Sequence, residues 1–270
     1  MKKFELTTEF ITNALGKKLF RIKALVEFGS VKAGELGGYA EKEENISQDG
    51  NAWVSGDARV YGNAWVSGDA RVYGDAWVHG NAKVFGNAEV YGDTEVSGDA
   101  KVFGNVRVSD NVRVSDNAKV FGNAKVYGDA KVSDNAKVFG DACVYGDAKV
   151  YGNAWVYGDA WVHGNAKVFG NAWVYGDTEV SGDAKVSDNA EVSGDADYAL
   201  VKGFGTEFRC TTFYRDKNKK IMVNCGCFHG DLEAFRKQVK ETRSGKIAKE
   251  YLMIADLMEY HFTSEDSSNE

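Results

Sequence analysis

From residue 51 to residue 196, apolar and polar positions follow a six-residue cycle that repeats twenty-four times without insertion or deletion. One unit reads Ala58-Arg59-Val60-Tyr61-Gly62-Asn63, and valine recurs every six residues from Val54 to Val192. Strand side chains alternate sides, so Ala and Val, two apart, share an inner face, and the residue following each points outward. The next position is Gly in twenty units and Asp in four: Asp110, Asp116, Asp134 and Asp188. These residues reach positive φ at low cost, which predicts a left-handed corner in every unit. Asp or Asn always follows, as turn chemistry prefers. The inner Ala position admits only Ala, Val106, Val112, Thr94 and Thr178, so the interior has no room for bulk.

A strand cornered every six residues cannot bury its own valine, whereas stacked coils cover one another. The hexad resembles that of the hexapeptide-repeat left-handed β-helix superfamily. The resemblance implies a mainly β fold: a left-handed parallel β-helix with three units, or 18 residues, per triangular coil. Twenty-four units then make about eight coils and a rod roughly 38 Å long. The lead Val31-Lys32-Ala33-Gly34-Glu35-Leu36-Gly37-Gly38 is similar to that of uncharacterised bacterial and phage-encoded solenoid proteins. The absence of proline fits, because proline would delete a ladder hydrogen bond at almost any strand position.

An open solenoid end exposes unpaired strand edges, so caps are expected. Residues 1–50 read as a β-rich N-terminal cap, with strands over 3–12 and 18–28 joined by a turn. Residues 51–196 form the β-helix. Residues 197–262 read as a small ββαα unit, with strands over 206–214 and 219–225 and helices over 231–243 and 246–262. Residues 263–270 are polar and read as a disordered tail.

The candidate chemistry is sparse. Cys225, Cys227 and His229 alternate along one strand, and Cys210 lies on its neighbour, so these four are the candidates for a zinc site. Their spacing is not the common Cys-x-x-Cys knuckle, and free cysteines are ordinary core residues. The expectation is therefore no metal and no cofactor. The resemblance brings in acyltransferases with a histidine beside a projecting loop, and carbonic anhydrases with three zinc-binding histidines. Here His79 and His163 lie 84 residues apart and no loop interrupts the period, so an enzyme is not expected.

Sorting outward residues by an 18-residue period gives three faces. One carries six consecutive aromatic rungs, Phe85, Phe103, Phe121, Phe139, Tyr157 and Tyr175, with Trp155 and Trp173 beside them. These eight residues are the candidate interaction surface. A second face is basic, with Arg113, Lys131, Lys149, Lys167 and Lys185; the third is mixed. Residues 74–102 recur almost verbatim at 158–186, an offset of fourteen units that moves the copy onto different faces. That suits a rod better than a point-specific site. The net charge of −7 argues against general nucleic-acid binding. With no long apolar run and four cysteines, the reading is a cytoplasmic protein without a membrane span. The expected function is a non-enzymatic structural or interaction protein that binds itself or a protein partner. The resemblance adds side-by-side trimers as one form of homo-oligomer. Two alternatives stand beside it: a phage-type inhibitor that mimics nucleic acid by its acidic surface, and ligand or metal binding by the C-terminal unit.

Overall fold

The 18-residue period sets the strand register of the computed structural model, which describes residues 2–206 and 209–263. Val90 pairs in parallel with Val72 on one side and Val108 on the other. Twenty-four short strands, β4 (Trp53–Val54) through β27 (Glu191–Val192), build three parallel sheets, each taking every third strand. The coil is therefore triangular, as the resemblance implied. Each rung bonds to the next: the Lys131 N–H donates to the Ala148 carbonyl at 2.9 Å, and the Ser133 N–H to that of Val150 at 3.0 Å. The Ala and Val of every unit are buried in one continuous core. Thr94 and Thr178 enter that core because their hydroxyls donate to the carbonyls of Tyr91 (2.6 Å) and Tyr175 (2.7 Å).

The corners are left-handed. Gly128 has φ +74°, and a Cβ placed there would lie 2.9 Å from the Gly146 nitrogen one coil on. The four Asp corners have φ between 55° and 66°. Three of them turn the extra side chain to use: the carboxylates of Asp110, Asp116 and Asp134 accept the corner N–H of the next coil at 3.1, 3.3 and 2.9 Å. Every Asp corner follows a serine, and the Ser115 hydroxyl donates to Asp116 at 2.9 Å.

At the N-terminal end, β1 (Phe4–Thr12) and β2 (Lys18–Ala24) form an antiparallel hairpin. Next to them, β3 (Leu36–Ala40) pairs antiparallel with β2 and parallel with β5 (Arg59–Val60). Ile46 bridges Val66 in parallel, so one further turn precedes the twenty-four units and the solenoid has about nine. Two side chains plug the remaining open carbonyls. The buried Lys3 ammonium donates to Gly50 O (3.2 Å) and Ala52 O (3.0 Å), and the Asn45 amide donates to Gly62 O (3.1 Å) and Ala64 O (2.9 Å). Burial lowers the Lys3 pKa to about 8, against the opposing charges of Asp49 and Asp69.

At the other end, β28 (Tyr198–Phe204), β29 (Arg209–Arg215), β30 (Ile221–Cys225) and β31 (Phe228–Asp231) form an antiparallel sheet in that order. Helices α1 (Leu232–Thr242) and α2 (Gly245–Thr263) follow. The hydrophobic pattern predicted the central two strands and both helices; the flanking strands β28 and β31 are additional. One side of the sheet seals the last coil. Tyr214 is fully buried with the rod valines, its hydroxyl 3.0 Å from Ser187 Oγ, and the Asn224 amide donates to Lys185 O at 2.9 Å. The other side packs Phe213 and Val223 against Leu232, Phe235, Val239 and Tyr251. From residue 264 on, the predicted tail lies outside the described residues. Among the described residues no helix is long and apolar enough to cross a membrane.

Candidate interaction surface

The candidate aromatic residues come together as one ladder. Parallel register places Phe85, Phe103 and Phe121 directly over one another. Successive ring centroids from Phe85 to Tyr175 are 4.8, 5.0, 4.7, 4.9 and 5.0 Å apart, with planes within 8° of parallel. The spacing is that of the strands, so the backbone imposes the stack. Each such pair contributes about 0.5–1.5 kcal/mol beyond its buried area. Stacking consumes the ring faces. All six rings are only half-buried, so what remains toward solvent is a row of ring edges. Base stacking on the four inner rings is accordingly blocked, since both faces of each already meet a ring. At the C-terminal end, the Tyr175 hydroxyl donates to Glu191 at 2.8 Å, and this bond, with burial, raises its pKa.

Beside the ladder runs a second column, Trp65, Lys83, Lys101, Lys119, Lys137, Trp155, Trp173 and Glu191. Trp155 and Trp173 stack at 5.2 Å, and the Lys137 ammonium lies 4.0 Å from the Trp155 ring centroid. Trp173 and Trp65 are among the most exposed apolar residues of the rod. The face is flat, because nothing but strands of two to four residues and corners builds it.

The other faces carry shorter stacks: Tyr73 on Tyr91, Tyr127 on Tyr145 and His163, and Tyr61 on His79. His79 and His163 each contact a glutamate, Glu95 at 2.9 Å and Glu179 at 2.8 Å, and stand on different faces. The corner carboxylates are also engaged. Asn51, Asn81, Asn111, Asn123 and Asn165 donate their amides to Asp69, Asp99, Asp129, Asp141 and Asp183, at 2.7–3.1 Å. On the basic face, Arg113, Lys131, Lys149 and Lys167 alternate with Asn111, Asp129, Asp147 and Asn165 along a shallow groove.

The cysteine and histidine candidates do not assemble. His229 bonds Asn224 Oδ1 at 2.7 Å through one ring nitrogen and meets Asp188 through the other. Cys225 packs against the core of the C-terminal unit and accepts from the Thr211 hydroxyl at 3.1 Å. Cys225 and the exposed Cys227 line a small cavity of about 70 Å³ with Phe228, Phe235 and Tyr251. Cys210, on β29 one residue before Thr211, has its thiol pKa raised chiefly by burial. Among the described residues, no three His, Cys, Asp or Glu side chains gather in a geometry that would hold a metal ion. Sequence reasoning missed one apolar surface, the outer side of α2, where Met253, Leu257 and Tyr260 stand exposed. The helical spacing of four and three was its available signal.

Two comparisons bear on this surface. Residues 148–164 match the repeat described as the YdcK β-solenoid repeat. A search of curated proteins found no match. Residues 43–143, which include the rungs from Trp65 to Lys137, match the family described as Bactofilin, polymer-forming cytoskeletal.

Proposed function

We propose that the chain is a non-enzymatic structural protein, a rigid β-solenoid that associates with copies of itself through its aromatic face. The observation that carries this reading is the six-rung ladder with its flanking Lys–Trp column, a flat and repetitive surface that a symmetric partner can match rung for rung. The polymer-forming family matched by residues 43–143 supports self-association over capture of an unrelated protein. A cytoplasmic setting belongs to the same reading, in keeping with that family's cytoskeletal description and with four free cysteines. Acidic mimicry finds no support here: many corner carboxylates already accept asparagine amides from the coil below. Ligand binding by the C-terminal unit finds none either: the cavity beside Cys225 and Cys227, on the helix side of the sheet, holds only about 70 Å³.

The test is light scattering on the wild type and on a variant with Phe103, Phe121 and Phe139 changed together to Ser. Serine already stands at the equivalent positions Ser115 and Ser133 of the basic face, so the coil should persist. The wild type should exceed monomer mass at tens of micromolar and the variant should not. A monomeric wild type refutes self-association; an unchanged mass for the variant refutes the choice of face.

A further inference from the structure

Where the N-terminal cap meets the rod, the chain forms a cavity of about 470 Å³. Small-ligand sites span roughly 300–1,000 Å³. One wall is the tight turn from Phe28 to Val31, closed by two backbone bonds. The Val31 N–H donates to Phe28 O at 2.9 Å, and the Phe28 N–H to Val31 O at 3.2 Å. Gly29, at φ +52°, bends the turn back onto the first coil. The floor is Trp53, 6% exposed and in edge contact with the rings of Phe4 and Phe28. Its buried indole N–H has no acceptor among the described residues.

The facing wall is the open end of an aromatic stack. Tyr73 lies on Tyr91, with ring centroids 4.8 Å apart and planes within 3° of parallel. One coil toward the cap, the same outward column holds Ser55, so the other face of the Tyr73 ring meets no ring. Tyr127 repeats the arrangement, stacked on Tyr145 with Ser109 before it, but stands well beyond the cap turn.

The charges around the Tyr73 face are mixed. Glu35 and Asp69 each use one carboxylate oxygen in the fold and keep a second. Glu35 accepts from the Lys32 N–H at 3.1 Å, and Asp69 from the Asn51 amide at 2.7 Å. Arg71 brings a guanidinium to the same lining, and Glu89 is paired with Arg107 at 3.4 Å. A simple anion would be repelled by Glu35 and Asp69, and a simple cation by Arg71. Hydroxyl groups suit both, because each can donate to a carboxylate or accept from a guanidinium. A pyranose carries such hydroxyls around a ring whose C–H face fits the flat, apolar face of a tyrosine.

We propose that this cavity binds a neutral saccharide unit, its ring lying on the open face of Tyr73 and its hydroxyls held by Glu35, Asp69 and Arg71. The site belongs to a different sheet from the Phe85–Tyr175 ladder, so it does not depend on self-association. A single sugar makes few contacts, and its dissociation constant should be on the order of millimolar.

The test is saturation-transfer NMR on the full chain with glucose, galactose, mannose and N-acetylglucosamine, each at millimolar concentration. Transfer from protein to the ring C–H protons of at least one sugar is expected. For that sugar, Tyr73→Ser should weaken binding at least about tenfold, whereas Tyr127→Ser should leave it unchanged. Serine already stands in this column at Ser55 and Ser109, so both variants should keep the coil. Ser55→Tyr deletes nothing and continues the stack over the open face, as Tyr does elsewhere in the column. It should abolish binding while circular dichroism shows the fold intact. Absence of transfer to all of these sugars overturns the proposal. So does binding that persists in Tyr73→Ser or Ser55→Tyr, or that falls equally in Tyr127→Ser.

Discussion

The corner at Gly128 separates two demands that every coil makes, on backbone conformation and on space. Its φ of +74° alone costs a non-glycine residue about 1–2 kcal/mol. An added Cβ would also lie 2.9 Å from the Gly146 nitrogen, 3.2 Å from its oxygen and 3.3 Å from its Cα, all backbone atoms held by the ladder. Alanine meets both demands with nothing in return, and should cost roughly 2 kcal/mol. Valine adds a second branch against the same backbone and should cost about 3 kcal/mol or more, because a β-branched residue is strained at positive φ. Aspartate has the same Cβ as alanine, yet its carboxylate can accept the next corner N–H, as Asp110 does from Gly128 at 3.1 Å. A charge-assisted hydrogen bond of this type offsets about 1 kcal/mol or more. The expected order of stability is Gly, then Asp and Asn, then Ala, then Val. For a chain of this size each kcal/mol moves the melting temperature by roughly 2–4 °C, so the Asp and Ala variants should differ measurably. The decisive comparison is Gly128→Asp with Gly128→Ala. If alanine melts as high as aspartate, the coil-to-coil carboxylate bond contributes nothing and this account of the four Asp corners fails.

Two further outcomes follow from burial. Ala130 is fully buried with its column, so Ala130→Leu should overpack the coil and cost on the order of 1–3 kcal/mol, while the outward Lys131→Leu should cost little; equal melting temperatures would refute the inside–outside assignment. Lys3 has a pKa of about 8 in the fold against an unfolded value near 10.5, so between those limits the folded chain binds fewer protons than the unfolded one. Its contribution to stability should therefore rise as pH increases from about 8 to 10.5, and the difference in unfolding free energy between wild type and Lys3→Met, measured by denaturant titration, should grow across that window; a flat or falling difference would contradict the burial of a charged Lys3.

The shaft was legible because each of its contacts is a copy of the same contact, one coil away. Val90 meets Val72 and Val108, and the same offset recurs for every valine, so a period of 18 carries the register, the core and the stacking of Phe85 through Tyr175 together. The corner asparagines follow the same offset: Asn135 donates to Asn153, one coil on, at 3.1 Å. The Ser–Asp corners were visible as residues but not as a device. What Asp110 does depends on the N–H of Gly128, a backbone group that composition does not display.

The ends were not legible in this way, and the reason bears on how such a rod is limited in length. A plug contacts the rod only once, so no periodicity reports it: Lys3 reaches Ala52, and Asn45 reaches Ala64, across 49 and 19 residues. Nothing in Lys3 as a letter distinguishes it from Lys2, whose ammonium meets the surface carboxylate of Glu43. The same holds at the other end, where Tyr214 belongs by sequence to the C-terminal unit and by burial to the rod. A repeating interior would accept further coils indefinitely, because every rung offers the same carbonyls and the same Ala and Val to the next. Growth along the axis ends only where a non-repeating side chain satisfies those groups. Lys3, Asn45, Tyr214 and Asn224 are those side chains, and they turn a segment that could stack without limit into a unit of fixed length.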